Sequence, residues 1–229
     1  MDRGDGPPVV LLHGFSTSVA ASWERGGWIE LLAASGLRVV APDCRSHGGS
    51  DPVYDPSECS TPALAGDVAA LLDHLDLPGV SVFGFSMGGG IALQFAADFP
   101  ERVDRLVIGG VGDAAINSLH DPAEVSAIAS AFEAEGESRI RRVAAAAGND
   151  PRTLVPFLRG GGWPGGLAEL RPPAVPLLLI VAENDQYMRS TAELRRLLPA
   201  AEVLDVPGRD HHDVLDDAAV RRRVVAFLR

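Results

Sequence analysis

Ser86 lies in Gly84-Phe85-Ser86-Met87-Gly88, a Gly-x-Ser-x-Gly pattern between an apolar run and a stretch with helical spacing. A serine on a tight strand-to-helix turn projects its hydroxyl clear of the backbone, and the positions two before and two after it must then lack side chains. The hydroxyl becomes a nucleophile when a base removes its proton, and histidine is the side chain that titrates near neutrality. Gly208-Arg209-Asp210-His211-His212-Asp213 supplies two candidates. Adjacent side chains point in different directions, so only one can face Ser86; His211 is the favoured base and His212 the alternative. A carboxylate must hold that base in its tautomer and stabilise the imidazolium. Asp185, in Glu183-Asn184-Asp185, is the favoured residue, with Glu183 and Asp113 as alternatives. In chain order the set reads Ser86, Asp185, His211, separated by 99 and 26 residues.

Acyl transfer also needs donors aimed at the oxyanion of a tetrahedral intermediate, and two backbone N–H groups suffice. Met87, directly after the serine, offers one; Phe15, in His13-Gly14-Phe15 after the first apolar run, offers the other. His13 is read first as a packed loop histidine bonded to backbone, and second as a residue beside the substrate pocket. A metal at His211-His212-Asp213 is not favoured, because adjacent histidines rarely share a metal on one face, so no metal is expected. Cys44 has no comparable turn around it and is discounted as a nucleophile.

These residues need a scaffold that brings distant loops together. Apolar runs of strand length occur at Val9–Leu12, Leu37–Ala41, Val80–Gly84, Val103–Ile108, Leu177–Ala182 and Ala201–Val206. Most are continuous rather than alternating, as in parallel strands covered by helices on both faces. Helical spacing falls between them, at about Trp28–Ala34, Leu64–Leu75, Met87–Ala97, Thr191–Leu198 and Asp217–Leu228. The alternation predicts an α/β fold in one domain, 1–229. About 113–171 breaks the rhythm: it is helical and then rich in proline and glycine, with no strand-like run, and reads as an insertion over the sheet. Its apolar residues Ile128, Phe132, Leu154, Phe157 and Trp163 are expected to form a short lid above Ser86, with Phe15 and Met87 below. Phe132, Phe157 and Trp163 are accordingly candidate substrate-pocket residues.

Composition narrows the function classes. Twenty basic against 31 acidic residues give a net charge of −11, which opposes nucleic acid or an anionic membrane as partner. Every basic residue is arginine, so chemistry that depends on a phosphate-binding or Schiff-base lysine is excluded. The two cysteines, Cys44 and Cys59, are too few for a disulfide framework and are expected as thiols. No signal-peptide pattern or membrane-length apolar run is seen, so a cytoplasmic protein is the default expectation. Dehydrogenase is disfavoured, because Ser86 stands where a Gly-x-Gly-x-x-Gly turn would need its second glycine.

The ordered matches resemble the α/β-hydrolase superfamily. They are Val9–Phe15, Ala41-Pro42-Asp43-Cys44-Arg45-Ser46-His47-Gly48-Gly49-Ser50-Asp51, Gly84–Gly89, Phe99–Val103, Asn184-Asp185 and Gly208–His211. The resemblance implies fold and machinery rather than substrate, since that superfamily holds esterases, lactonases, thioesterases, carbon–carbon hydrolases and cofactor-free perhydrolases. Phe85–Gly90 is similar to the esterase and perhydrolase branch. The implied activity is cleavage of a carboxylic ester or related acyl bond in a small molecule through an acyl-enzyme, with no cofactor. Acyl transfer, perhydrolysis and carbon–carbon cleavage are alternatives on the same residues; a non-catalytic ligand-binding member is a further one. Arg45, His47 and Asp51 are expected to be structural. Relatives usually open with an antiparallel hairpin, but only eight residues precede the first apolar run. The expectation is therefore six strands, all parallel, in the order second, first, third, fourth, fifth, sixth.

Overall fold

The computed structural model describes residues 1–118, 121–133, 139–160 and 166–229. Among the described residues seven strands form one sheet: β1 Asp2–Arg3, β2 Pro8–Leu12, β3 Arg38–Val40, β4 Val80–Phe85, β5 Val103–Gly109, β6 Leu177–Ala182 and β7 Glu202–Val206. Their order is β1-β3-β2-β4-β5-β6-β7. The last six are parallel and stand in the expected order.

The sheet is not wholly parallel. β1 pairs antiparallel with β3 at the edge, Asp2 opposite Val40 and Arg3 opposite Val39. Two charged residues leave no apolar run to read. Polar bonds hold them instead: Asp2 accepts two hydrogen bonds from the Arg38 guanidinium, at 2.9 and 2.6 Å, and the Met1 ammonium donates to the Ala41 carbonyl at 2.8 Å.

The continuous apolar runs have the cause expected of them. Along β2, Val10 and Leu12 face one hydrophobic layer while Val9 and Leu11 face the other; in β6, Leu177 and Leu179 alternate in the same way with Leu178 and Ile180. The first layer is filled by α2 (Thr61–His74) and α3 (Met87–Asp98), the second by α1 (Trp28–Ala34) and α9 (Ala218–Leu228). Truncating a fully buried strand residue such as Leu179 to alanine would cost about 2–5 kcal/mol.

Caps fix where several helices begin. Ser60 accepts from the Ala63 N–H ahead of α2, and Asp217 from the Ala219 N–H ahead of α9. One cap is supplied from afar: Asp113, just beyond β5, accepts from the N–H groups of Glu193 and Leu194 at the start of α8 (Ala192–Leu197).

Between β5 and β6 the chain runs through α4 (Asp113–Ser118), α5 (Pro122–Glu133), α6 (Arg139–Ala146), α7 (Pro151–Gly160) and a 3₁₀ turn at Gly166–Glu169. No strand is described there. Phe157 joins the layer on the α3 side, while Leu154, Val155 and Leu158 form a small cluster with Ala129 and Ala144, against which Phe15 packs. Trp163 lies outside the described residues, as do the side chains of Ile128 and Phe132. Among the described residues no helix is long and apolar enough to cross a membrane.

Register carries the functional loops to one end of the sheet. Leu12 stands opposite Gly84, Phe85 opposite Gly109, and Ala182 opposite Val206. The segments leaving β2, β4, β5, β6 and β7 therefore emerge at the carboxyl ends of parallel strands, where open α/β sheets bind ligands.

Candidate active site

Ser86 occupies the turn between β4 and α3 with φ 57° and ψ −121°. A non-glycine residue at such angles is strained, and the surroundings hold it there. Its N–H donates to the Gly109 carbonyl at 2.8 Å, and its own carbonyl accepts from the N–H groups of Gly89 and Gly90. The flanking glycines are required by contact. A Cβ at Gly84 would stand 2.1 Å from the Gly88 carbonyl oxygen, and one at Gly88 would stand 2.1 Å from that of Leu12. Backbone packs on backbone here, and α3 is drawn against β2 and β4.

The His211 Nδ1 stands 2.6 Å from the Asp185 Oδ2. With Asp185 ionised, Nδ1–H donates and Nε2 is left as the basic nitrogen. The other carboxylate oxygen accepts from the N–H groups of Tyr187, at 2.9 Å, and Met188, at 3.1 Å. Burial pushes the Asp185 carboxyl up, but His211 and these two donors outweigh it and leave its pKa below the usual value. The carboxylate thus stays charged and fixed, which is what orienting an imidazole requires.

The imidazole of His211 lies 4.9 Å from the Phe85 ring and 4.8 Å from the Tyr187 ring, centroid to centroid. It also abuts Gly110, where a Cβ would come within 2.9 Å of Cε1. Phe85 precedes Ser86, and Gly110 follows the carbonyl that holds the Ser86 N–H. The loops that carry the three predicted residues, at the ends of β4, β6 and β7, therefore lie side by side.

The alternatives are occupied elsewhere. Glu183 accepts from the Gly208 N–H at 2.7 Å, and Asp113 is spent on the α8 cap and the Ser190 hydroxyl. His212 is exposed, and the carboxylate of Asp210 takes its backbone N–H. Burial pushes the Cys44 thiol up to about 12, so it stays protonated at neutral pH. Cys44 and Cys59 are both free thiols.

Met87 opens α3, so its N–H has no intrahelical partner and points out of the helix start. Across from it, a Cβ at Gly14 would lie 3.4 Å from the Ser86 Cβ, so the Gly14–Phe15 peptide borders the serine. Phe15, Ser86 and Met87 are all half-buried.

His13 belongs to the scaffold rather than to the pocket wall. It has no exposed surface, its Nδ1 bonds the Gly14 carbonyl at 2.9 Å, and its Nε2 accepts from the Cys44 N–H at 3.0 Å. His47 behaves alike, with Nδ1 bonded to the Arg45 carbonyl and Nε2 accepting from the Ser16 N–H at 3.2 Å. Burial lowers the pKa of both, that of His47 to about 3 with the nearby His13 adding to the effect. Of the candidate pocket residues, Phe157 packs over this region, its ring 5.7 Å from Phe15 and 5.0 Å from His47.

Two residues near these loops carried no sequence signal. Tyr187, half-exposed beside His211, sits in a loop whose course only the fold determines. Asn149 reaches residues far away in the chain.

The fold and this arrangement of side chains define a class. The chain belongs to the α/β-hydrolase fold family, whose model matches residues 7–156. It is 37% identical over 109 residues to an uncharacterized protein of Mycobacterium tuberculosis, covering 48% of this chain and 30% of that one. A 2-hydroxy-6-oxononadienedioate/2-hydroxy-6-oxononatrienedioate hydrolase of Paraburkholderia xenovorans is 40% identical over 117 residues, covering 48% of this chain and 38% of that one. These matches thus span well under half the length of both curated relatives. Among solved structures, a marine microorganism esterase superposes with a TM-score of 0.71 at 20% identity, covering 100% of this chain and 98% of its own, a likeness of fold.

Proposed function

We propose that this protein is a serine hydrolase that cleaves a carboxylic ester or related acyl bond of a small molecule. Ser86 is the nucleophile, His211 the general base, and Asp185 the residue that orients it. The observation that carries this reading is the 2.6 Å contact between His211 and Asp185 beside a serine held at positive φ. His211 Nε2 takes the serine proton as Oγ attacks the acyl carbon, and the N–H groups of Phe15 and Met87 receive the charge on the carbonyl oxygen. His211 then returns the proton to the leaving group. In the second half, water attacks the acyl-enzyme with the same base. The segment 113–171 acts as a short lid, with Phe157 as one wall of the acyl pocket.

A fluorophosphonate should label Ser86 alone of the fifteen serines, and Ser86→Ala should abolish both labelling and turnover. Label on another serine, or none, would end this reading.

A second reading keeps the same residues but cleaves a carbon–carbon bond. It is favoured by the 40% identity to the Paraburkholderia hydrolase across about half of this chain. Turnover of a vinylogous β-diketone acid but of no ester would select it.

A further inference from the structure

Asn149 lies between α6 and α7, is 6% exposed, and belongs to no part of the mechanism above. Its side-chain amide joins two loops distant in sequence. Oδ1 accepts from the Gly48 N–H at 2.7 Å, and Nδ2 donates to the Thr17 carbonyl at 2.9 Å. The amide orientation is fixed by its partners, since a flipped amide would set acceptor against carbonyl and donor against N–H.

Thr17 closes a turn in which its N–H donates to the Gly14 carbonyl at 3.4 Å. Phe15 and Ser16 lie inside that turn. The Ser16 N–H is held by His47 at 3.2 Å, and Ser16 has a positive φ of 60°. The peptide carrying the Phe15 N–H is thus fastened on its downstream side by two side chains, His47 from the loop after β3 and Asn149 from the segment over the sheet. Two further bonds run in parallel with the second: Ser18 Oγ to the Ala147 carbonyl at 3.5 Å, and Thr153 Oγ1 to the Ser46 carbonyl at 3.2 Å.

We infer that Asn149 is a positioning residue: through Thr17 it sets the Phe15 N–H against the oxyanion, and so links the segment over the sheet to the chemistry. The inference rests on the reading of Ser86 as the acylated nucleophile. An oxyanion donor acts only when placed where charge develops, and a displacement of about 1 Å can cost on the order of 10²-fold in rate. Substrate binding depends little on that donor, so the loss falls on kcat rather than KM.

The test uses the full chain with Asn149→Leu and Asn149→Asp. Ser86 is titrated with a fluorophosphonate, and kcat is expressed per titrated site on an ester that the wild type turns over. Asn149→Leu should lower kcat by about 10–100-fold with KM little changed. Asn149→Asp, nearly isosteric, keeps the acceptor for Gly48 but sets a second acceptor against the Thr17 carbonyl unless the acid is protonated. Its kcat relative to wild type should therefore recover as pH is lowered, with His211, His13, His47 and Asp43 present in both proteins. A residue that merely holds the fold would lower the melting temperature or the fraction of titratable sites and leave kcat per site unchanged. That result, in whichever variant folds, overturns the inference. A wild type that takes no label at Ser86 overturns the nucleophile assignment and this inference together, whereas a labelled wild type with unaltered variants overturns this inference alone.

Discussion

Gly110 and His211 are in contact through the absence of a side chain: a Cβ at Gly110 would stand 2.9 Å from the His211 Cε1 and 2.9 Å from the Phe85 ring. Gly110 also has φ 65°, so a substitution there is strained as well as crowded. Gly110→Ala should push the imidazole away from Ser86 and lower kcat by on the order of 10²-fold, while His211 keeps its Asp185 partner. Kinetics on the purified variant decide it, and near-normal turnover would mean that the base is not held by this contact.

Replacing His211 with alanine should cost on the order of 10³-fold or more in kcat, the scale seen where such residues act as a unit. His212→Ala should cost little, because His212 is exposed and the Asp185 carboxylate bonds His211 instead. Asp185→Asn should lower kcat by on the order of 10³-fold through the wrong tautomer. Glu183→Gln should leave kcat nearly intact, since Glu183 bonds only the Gly208 N–H. A comparable loss in Glu183→Gln and Asp185→Asn would dissolve the assignment.

Stability should fall with acid before the carboxylates titrate. His47 has a folded pKa of about 3 against an ordinary 6.5, and His13 is displaced in the same direction. The unfolded chain gains protons below 6.5 that the folded chain refuses, so the stabilisation is complete above 6.5 and is lost as pH drops toward 3. A tenfold difference in proton affinity between the two states corresponds to about 1.4 kcal/mol. Urea midpoints measured from pH 6.5 down to the ordinary glutamate value of 4.5 should decline, and His47→Gln should flatten part of that slope. A flat profile in that window would contradict neutral burial of these rings.

Phe157 should shape the acyl pocket. Its ring packs on Phe15 and His47, and it is 3% exposed. Phe157→Ala should widen the cleft and move the preferred ester toward longer acyl chains, with a stability loss of about 3–5 kcal/mol. Rates across an acyl-length series test this, and an unchanged profile would remove Phe157 from the pocket.

The sequence displayed what is local or periodic. Strands buried on both faces leave unbroken apolar runs, so the six parallel strands could be read from Val9–Leu12 through Ala201–Val206. Ser86 could be read because its glycines answer a steric demand within five residues. What long-range contact decides stayed hidden. Nothing about Asp113 alone says that it caps a helix some eighty residues on, bonding the Leu194 N–H rather than an imidazole. β1 is two charged residues whose strand character exists only beside β3 and Arg38. The pocket reading of His13 gave way because the loop after β3 brings the Cys44 N–H to its ring.

The seat of Ser86 is made of main chain: Gly84 on Gly88, Gly88 on Leu12, and Ser86 bonded through its N–H to Gly109. These contacts run from backbone to backbone. The wall that the proposed reading sets over it is a separate stretch of sequence, inserted between β5 and β6. On the proposed reading the wall can be edited to change the preferred substrate while Ser86 keeps its seat, except at Asn149, where the wall reaches back to the turn that carries Phe15.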